Sequence, residues 1–151
     1  MLERALRDLA EASARDTRIS ASRDRLEDTL SRHAAAVRPR SDYSLIHGEL
    51  GPDHVLVDHQ DRPVIIDIEG LMYFDAEWEH VFLDLRFGPD YRFLREAGLD
   101  TGRLSLYRLA MHLSLVAGPL RLLDGDFPER EPMLRIAEYN TQQVLARQQH
   151  P

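Results

Sequence analysis

The sequence predicts a mainly α domain with one small β-hairpin, an α+β chain organised as a single domain over residues 1–151. Three observations carry that expectation. Before residue 38 and after residue 75, apolar residues recur at three- and four-residue steps, the period of a helix packed by one face. Leu56–Val57 and Val64–Ile66 are aliphatic stretches separated by Asp58-His59-Gln60-Asp61-Arg62-Pro63, which reads as a hairpin turn. No repeat or low-complexity linker divides the chain, and 43% hydrophobic residues in 151 are enough for one core.

Taken in order, residues 1–14 read as a helix, with Leu2, Leu6 and Leu9 on one side and Ala5, Ala10 and Ala12 favouring the conformation. A second helix fits 20–37, where Leu26, Leu30, Ala34 and Val37 line one face, and Pro39 with the Ser41-Asp42 pair ends it. Tyr43 to Ile46 is a short apolar run leading into the polar segment that precedes the hairpin. After Asp75, the spacing of Trp78, Val81, Phe82 and Leu85 predicts a docked helix, closed by Gly88-Pro89. Residues 103–117 are apolar nearly all round, as in a central buried helix, with Gly118-Pro119 expected to stop it. A loop at Asp124–Pro128 precedes a last helix with Pro132 in its first turn, reaching about Gln148. Its apolar positions are Met133, Ile136, Ala137, Val144 and Leu145, and His112 on the central helix reads as a satisfied core histidine.

Composition narrows the function. A net charge of −7 offers no surface to nucleic acid or to an anionic membrane. There is no cysteine, hence no disulfide, thiolate nucleophile or Cys-ligated zinc. Met1-Leu2-Glu3-Arg4 runs straight into helical sequence without a signal peptide, and no apolar stretch is long enough for a bilayer. A cytoplasmic protein is the default expectation. All 19 basic residues are arginine, so no lysine of this chain pairs with nucleotide phosphates. Neither Gly-x-x-x-x-Gly-Lys nor Gly-x-Gly-x-x-Gly occurs.

The chemistry-bearing residues gather around the hairpin. His47, Glu49, His54 and Asp67 flank two short turns, an arrangement suited to phosphoryl transfer, where one carboxylate serves the acceptor hydroxyl and another holds a metal. Glu49 is the candidate catalytic carboxylate. Asp67, ending an apolar strand, would offer hard oxygens to a divalent cation. Each residue also has a plainer reading. His47 suits a turn histidine bonded to backbone carbonyls, Glu49 a solvated loop carboxylate, and His54 a hydrogen-bonding strand end. Glu69 is an accessory to the metal or an exposed loop residue. Asp75 and Glu79 read as structural, receiving backbone N–H groups or occupying a first helical turn, and Trp78 as packing. Alternatively, the two histidines with Glu49 and Asp67 would form a metal centre for hydrolysis or oxygen chemistry.

The run His47-Gly48-Glu49-Leu50-Gly51-Pro52-Asp53-His54-Val55-Leu56 resembles the catalytic loop of the aminoglycoside phosphotransferase family, relatives of choline kinases and protein kinases. That family's pattern is His-Gly-Asp followed by Leu-x-Pro-x-Asn-Val/Ile-Leu. The step of five from Glu49 to His54 matches its Asp-to-Asn step, and the step of eighteen to Asp67 matches its metal-binding Asp, here in Ile66-Asp67-Ile68-Glu69. Phe74-Asp75-Ala76-Glu77-Trp78-Glu79 resembles the family's Gly-Asp-Pro-x-x-Asp, which gives Glu79 the role of buttressing the catalytic loop.

The resemblance implies the helical C-terminal lobe of a protein kinase-like fold, ATP with Mg²⁺ (or Mn²⁺), and a small hydroxyl-bearing acceptor. It implies Glu49 as catalytic residue, Asp67 and His54 at the metal, and an architectural His47. Three departures stand out. Glu49 replaces Asp, and His54 replaces Asn, an imidazole being a poor ligand for Mg²⁺ but acceptable to Mn²⁺ or Zn²⁺. Only two helices precede the motif, in place of the family's N-terminal nucleotide-binding lobe with its lysine. The expectation is therefore a phosphotransferase lobe, truncated or completed by an N-lobe-bearing partner chain. A catalytically inactive kinase-like binding or regulatory domain is the alternative. Apolar surface left where that lobe would sit makes a homo-oligomer a reasonable expectation.

Overall fold

A computed structural model of the chain describes residues 1–40 and 42–147. Ser41 of the Ser41-Asp42 stop signal, and the helix end expected near Gln148, lie outside the described residues. By its internal contacts the chain divides into two compact units: Met1–Val37 with the segment from Ser105 onward, and Arg38–Leu104. Among the described residues, no helix is long and apolar enough to cross a membrane.

The first unit is helical. Helix α1 (Leu2–Arg15) buries Ala5, Leu9 and Ala12, and leaves Leu2 and Leu6 half-buried beside them. The helix expected over 20–37 is two helices. Asp16 caps a single turn, α2 (Thr17–Ser20), its carboxylate accepting from the backbone N–H of Arg18 at 2.8 Å and of Ile19 at 3.2 Å. The chain turns at Ala21-Ser22 and restarts as α3 (Arg23–Ala36), which buries Leu26 and Leu30. The Asp16 cap is the reason for the earlier start, because it fixes a helix origin that the apolar period alone does not reveal.

Helix α5 (Thr101–Leu122) is the longest element; its first turn is counted with the second unit. Leu106, Leu109, Met111, Leu113 and Val116 are all buried, as expected of a central helix. Gly118-Pro119 does not stop it. Gly118 has no Cβ to clash with the proline ring, which eases the helical conformation before it. Helix α5 runs on to Leu122 with Pro119 inside its last turn, where the missing N–H costs the bond to the Leu115 carbonyl. Helix α6 (Arg130–Ala146) buries Ala137 and Val144, and also the polar Asn140 and Thr141. His112 Nδ1 lies 2.8 Å from Asn140 Oδ1, and Asn140 Nδ2 donates to the Ile136 carbonyl at 2.7 Å, so the buried polar pair is satisfied.

The second unit holds the strands. β1 (Ser44–Ile46) pairs antiparallel with β4 (Met72–Phe74), placing Ile46 opposite Met72. β2 (Val55–Val57) and β3 (Pro63–Ile65) form the expected hairpin, with Val55 opposite Ile65. Asp58 organises its turn by accepting from the N–H of Gln60 at 2.8 Å and of Arg62 at 3.0 Å. The β1–β4 pair was not foreseen: a three-residue strand is too short for its period-2 pattern to stand out. Helix α4 (Ala76–Phe87) follows at once and ends at Gly88, whose φ of 53° disfavours any side chain. Trp78 and Val81 of its expected face are buried and Phe82 and Leu85 half-buried, while Glu77, His80 and Leu83 are buried as well.

Candidate active site

The turn between β1 and β2 is held by side chains of α4. Glu79 accepts the Gly48 N–H at 2.6 Å and the Leu50 N–H at 3.0 Å, one carboxylate oxygen each. Trp78 Nε1 donates to the Gly48 carbonyl at 3.1 Å. Gly48 itself has a φ of 95°, and an added Cβ would lie 3.3 Å from the Met72 methyl, so glycine is required there. Charge-assisted bonds to backbone N–H groups are among the stronger hydrogen bonds, and two from one carboxylate fix both position and direction. Glu49, between the clamped residues, is exposed. Its carbonyl accepts from the ring of His54, whose Nδ1 lies 3.1 Å away.

Hairpin register brings in Asp67. The ladder extends one step beyond the strands, the Ile66 N–H donating to the His54 carbonyl at 3.0 Å. Asp67 therefore starts beside His54 although thirteen residues separate them, and its Oδ2 lies 3.4 Å from His54 Nε2. The Asp67 backbone is left-handed, φ 61° and ψ 44°, a conformation Asp adopts more readily than most residues. Its side chain is 41% exposed, so the carboxylate remains reachable.

Behind this pair sits His47, buried, with Nε2 2.9 Å from the Ile66 carbonyl. Its ring stacks on that of His54 with centroids 5.4 Å apart and planes at 25°. His47 thus acts on the backbone just before Asp67. His47 Nδ1 is buried without a hydrogen-bond partner, yet the four-residue centre of two histidines and two carboxylates is not assembled. Among the described residues, no group of three or more His, Asp or Glu is arranged to hold a metal. Glu69 is exposed in the 3₁₀ turn that follows Asp67.

Asp75 stands apart from these residues. It precedes α4 but its carboxylate makes no capping bond; Arg40 Nε lies 2.7 Å from Oδ1, off line for a hydrogen bond, and Arg103 Nε 3.2 Å from Oδ2. Asp75, read from the sequence as structural, belongs to a buried ion-pair network. Glu77 belongs to it, bound by Arg40 and accepting the Asp100 N–H at 2.9 Å. Burial pushes the Glu77 carboxyl up, but the Asp100 N–H, its own N–H and the Arg40 guanidinium outweigh that and hold it below the usual glutamate range.

Sequence reasoning missed this network. The available signal was a glutamate, Glu77, placed among Trp78 and Val81 on a helix whose apolar face it shares. It also missed Arg86, which pairs with Asp53; the guanidinium holds the Asp53 carboxyl below its ordinary range. Gly51 makes room for that pair, because a Cβ there would lie 2.7 Å from Asp53 Oδ1 and 2.8 Å from Arg86 Nε.

Two cavities belong to this unit. One, of about 780 Å³, is lined by Leu45, Leu50, Leu71, Leu83, Phe87 and Leu94 and is mainly apolar. The other, of about 520 Å³, is polar and lies among Arg38, Arg40, Asp42, Asp100 and Arg103. Neither is lined by Glu49, His54 or Asp67. The pair of functional groups that the fold presents to solvent is His54 with Asp67, Glu49 being next along the same loop.

A model of the phosphotransferase enzyme family matches residues 2–105. No curated protein matches the chain. Among solved structures the chain is similar to the spectinomycin phosphotransferase APH(9)-Ia, whose crystal structure is a complex with ADP and spectinomycin. The TM-score is 0.60 at 21% identity, over 89% of this chain and 44% of that one. The chain thus spans less than half the length of that enzyme, and the likeness carries the fold: a mostly helical, kinase-like arrangement with a small β part.

Proposed function

The chain belongs to the phosphotransferase enzyme family, and from that premise we propose that it supplies the catalytic-loop lobe of a cytoplasmic, ATP-dependent phosphotransferase acting on a small-molecule hydroxyl. The observation that carries this reading is the convergence of His54 and Asp67 within 3.4 Å beside a loop clamped by Glu79. A divalent ion at that pair would neutralise charge on the transferring phosphoryl group. Asp67 and His54 would be its protein donors, with phosphate oxygens and water completing the set as they do for divalent ions at nucleotide sites. Glu49 orients the acceptor hydroxyl and takes up its proton. The exposed carboxylate, on backbone held from both sides, is free to reach a substrate oxygen.

With no lysine in the chain, a lysine that pairs with the nucleotide phosphates would have to come from chain outside these residues or from a partner. Leu56, Val57, Val64 and Ile65 of the hairpin are all exposed, an apolar surface suited to such a lobe or to a second copy. The same lack of lysine supports a second reading, a kinase-like binding domain without turnover.

Thermal unfolding with ATP and Mg²⁺ or Mn²⁺, beside an Asp67→Asn control, is the test. Ligand at about 100 times its dissociation constant adds about 2.7 kcal/mol and raises the midpoint visibly. A metal-dependent rise that Asp67→Asn removes supports the transferase. A cooperative transition that ATP and metal leave in place, even at millimolar concentration, ends the case for nucleotide binding by this chain alone, as the second reading and a lobe awaiting its partner both expect.

A further inference from the structure

We infer that the metal position at His54 and Asp67 selects a divalent cation that accepts imidazole nitrogen, such as Mn²⁺ or Co²⁺, over Mg²⁺; this rests on the phosphotransfer reading and deepens it by naming the cofactor class. The argument begins with the His54 ring. Nδ1 faces the Glu49 carbonyl at 3.1 Å, and a carbonyl only accepts. The neutral ring therefore carries its proton on Nδ1, a tautomer assigned from the acceptor it faces. Nε2 is left as a lone pair.

That lone pair confronts another acceptor, Asp67 Oδ2, at 3.4 Å. The opposite tautomer would supply a proton here, but would set Nδ1 and the Glu49 oxygen, two acceptors, against each other at the shorter distance. A protonated ring would donate to both oxygens and pair with Asp67 directly. The neutral ring leaves two donor atoms 3.4 Å apart with no proton between them, the arrangement a cation bridges. For bonds of about 2.0–2.2 Å, neighbouring ligands on one ion are roughly 3.0–3.4 Å apart, the separation found here. Asp53 Oδ2, 4.0 Å from Nε2, belongs to a carboxylate already paired with Arg86.

The surroundings hold this geometry. A backbone carbonyl on the far ring nitrogen is the usual device that orients a metal-bound imidazole. His47 stacks on the ring and bonds Ile66, the residue before Asp67. The left-handed backbone of Asp67 fixes its side-chain direction from the other end. One nitrogen and one carboxylate oxygen suit Mn²⁺ or Co²⁺; Mg²⁺ prefers oxygen throughout and exchanges water for nitrogen reluctantly.

The test uses Mn²⁺ with ADP as probes on the full chain at pH 8. Free Mn²⁺ is counted by electron paramagnetic resonance, Mg²⁺ is titrated in competition, and pulsed spectra of the bound ion are searched for imidazole ¹⁴N modulation. The expected result is nitrogen modulation in the wild type, with Mn²⁺ favoured over Mg²⁺ about tenfold more than in His54→Asn. A folded His54→Asn is verified by its melting curve, and the wild-type spectrum decides the point without any variant. Bound Mn²⁺–ADP without nitrogen coupling overturns the inference and leaves the phosphotransfer reading standing. No uptake of Mn²⁺–ADP by the wild type overturns both.

Discussion

In the helical unit the buried side chains are mostly aliphatic: Leu9, Ile19, Leu26, Leu30, Leu113, Val116 and Val144, with His112 and Asn140 bonded to each other. In Arg38–Leu104 the buried set is His47, Asp75, Glu77, His80 and Arg103 beside Ile46, Trp78, Val81 and Leu83. An aliphatic interior demands matching volume and tolerates rearrangement of detail. Buried charges demand partners in fixed directions, and they gain little net stability from meeting them. The unit that carries the candidate site is therefore the one organised by direction: Glu79 and Trp78 aim the loop, and His47 with the hairpin register places Asp67.

The sharpest way to break the contrast is to delete one member on each side. Asp75→Ala leaves Arg40 and Arg103 without a carboxylate that both approach, and removal of one partner of a buried pair costs about 3–5 kcal/mol. Leu113→Ala in the aliphatic interior should cost about 3 kcal/mol through lost burial and the cavity left behind. Denaturant melts give the totals, and hydrogen exchange gives the location. The Asp75→Ala loss should fall on peptides within 38–104, and an Asp75→Ala protein as stable as the wild type would refute the directional account.

A smaller effect sharpens it. Glu79→Gln keeps the shape but loses the charge and one of its two acceptor oxygens, for about 2 kcal/mol at most. Exchange of the Gly48 and Leu50 amides should accelerate while the melting midpoint moves by only a few degrees. Equal protection of those amides in both proteins would mean that the clamp is not what holds the loop.

The smallest expected effect lies on the helical unit's surface. Arg18 pairs with Glu138 and Asp16, both at 2.7 Å, and the Arg18 and Gln142 bonds to Glu138 hold its carboxyl down at about 2. A depressed carboxyl stabilises the fold above its unfolded value near 4.5, and the contribution is lost as pH falls toward 2. Both side chains are nearly half exposed, so less than about 1 kcal/mol is at stake, and salt should shrink it. Comparing Glu138→Gln with wild type at pH 7 and pH 3 checks the sign: the gap should narrow at the lower pH.

The fold was legible where a pattern was long. The apolar periods of α1, α4 and α5 and the hairpin spacing of β2 and β3 are visible in one sequence. The extent of α5 was not, because Gly118 relieves one of the clashes that normally make a proline a stop. The β1–β4 pair was hidden by its length of three residues. At the site, the thirteen-residue gap from His54 to Asp67 is a register that a hairpin can close, and the run from His47 to Leu56 marked the loop. The Arg40–Asp75–Glu77–Arg103 network stayed invisible because charged residues in sequence look alike whether solvated or buried.

The left-handed backbone at Asp67 has a consequence for heredity. Glycine and asparagine meet that conformational demand at least as well as aspartate does. One base change turns an Asp codon into an Asn codon, so a descendant could surrender the carboxylate and keep the turn. Selection for a folded chain alone would not notice the exchange. Lineages in which this lobe has become a pure scaffold should therefore drift toward Asn or Gly here first, while Glu79, on which the loop's shape rests, stays in place.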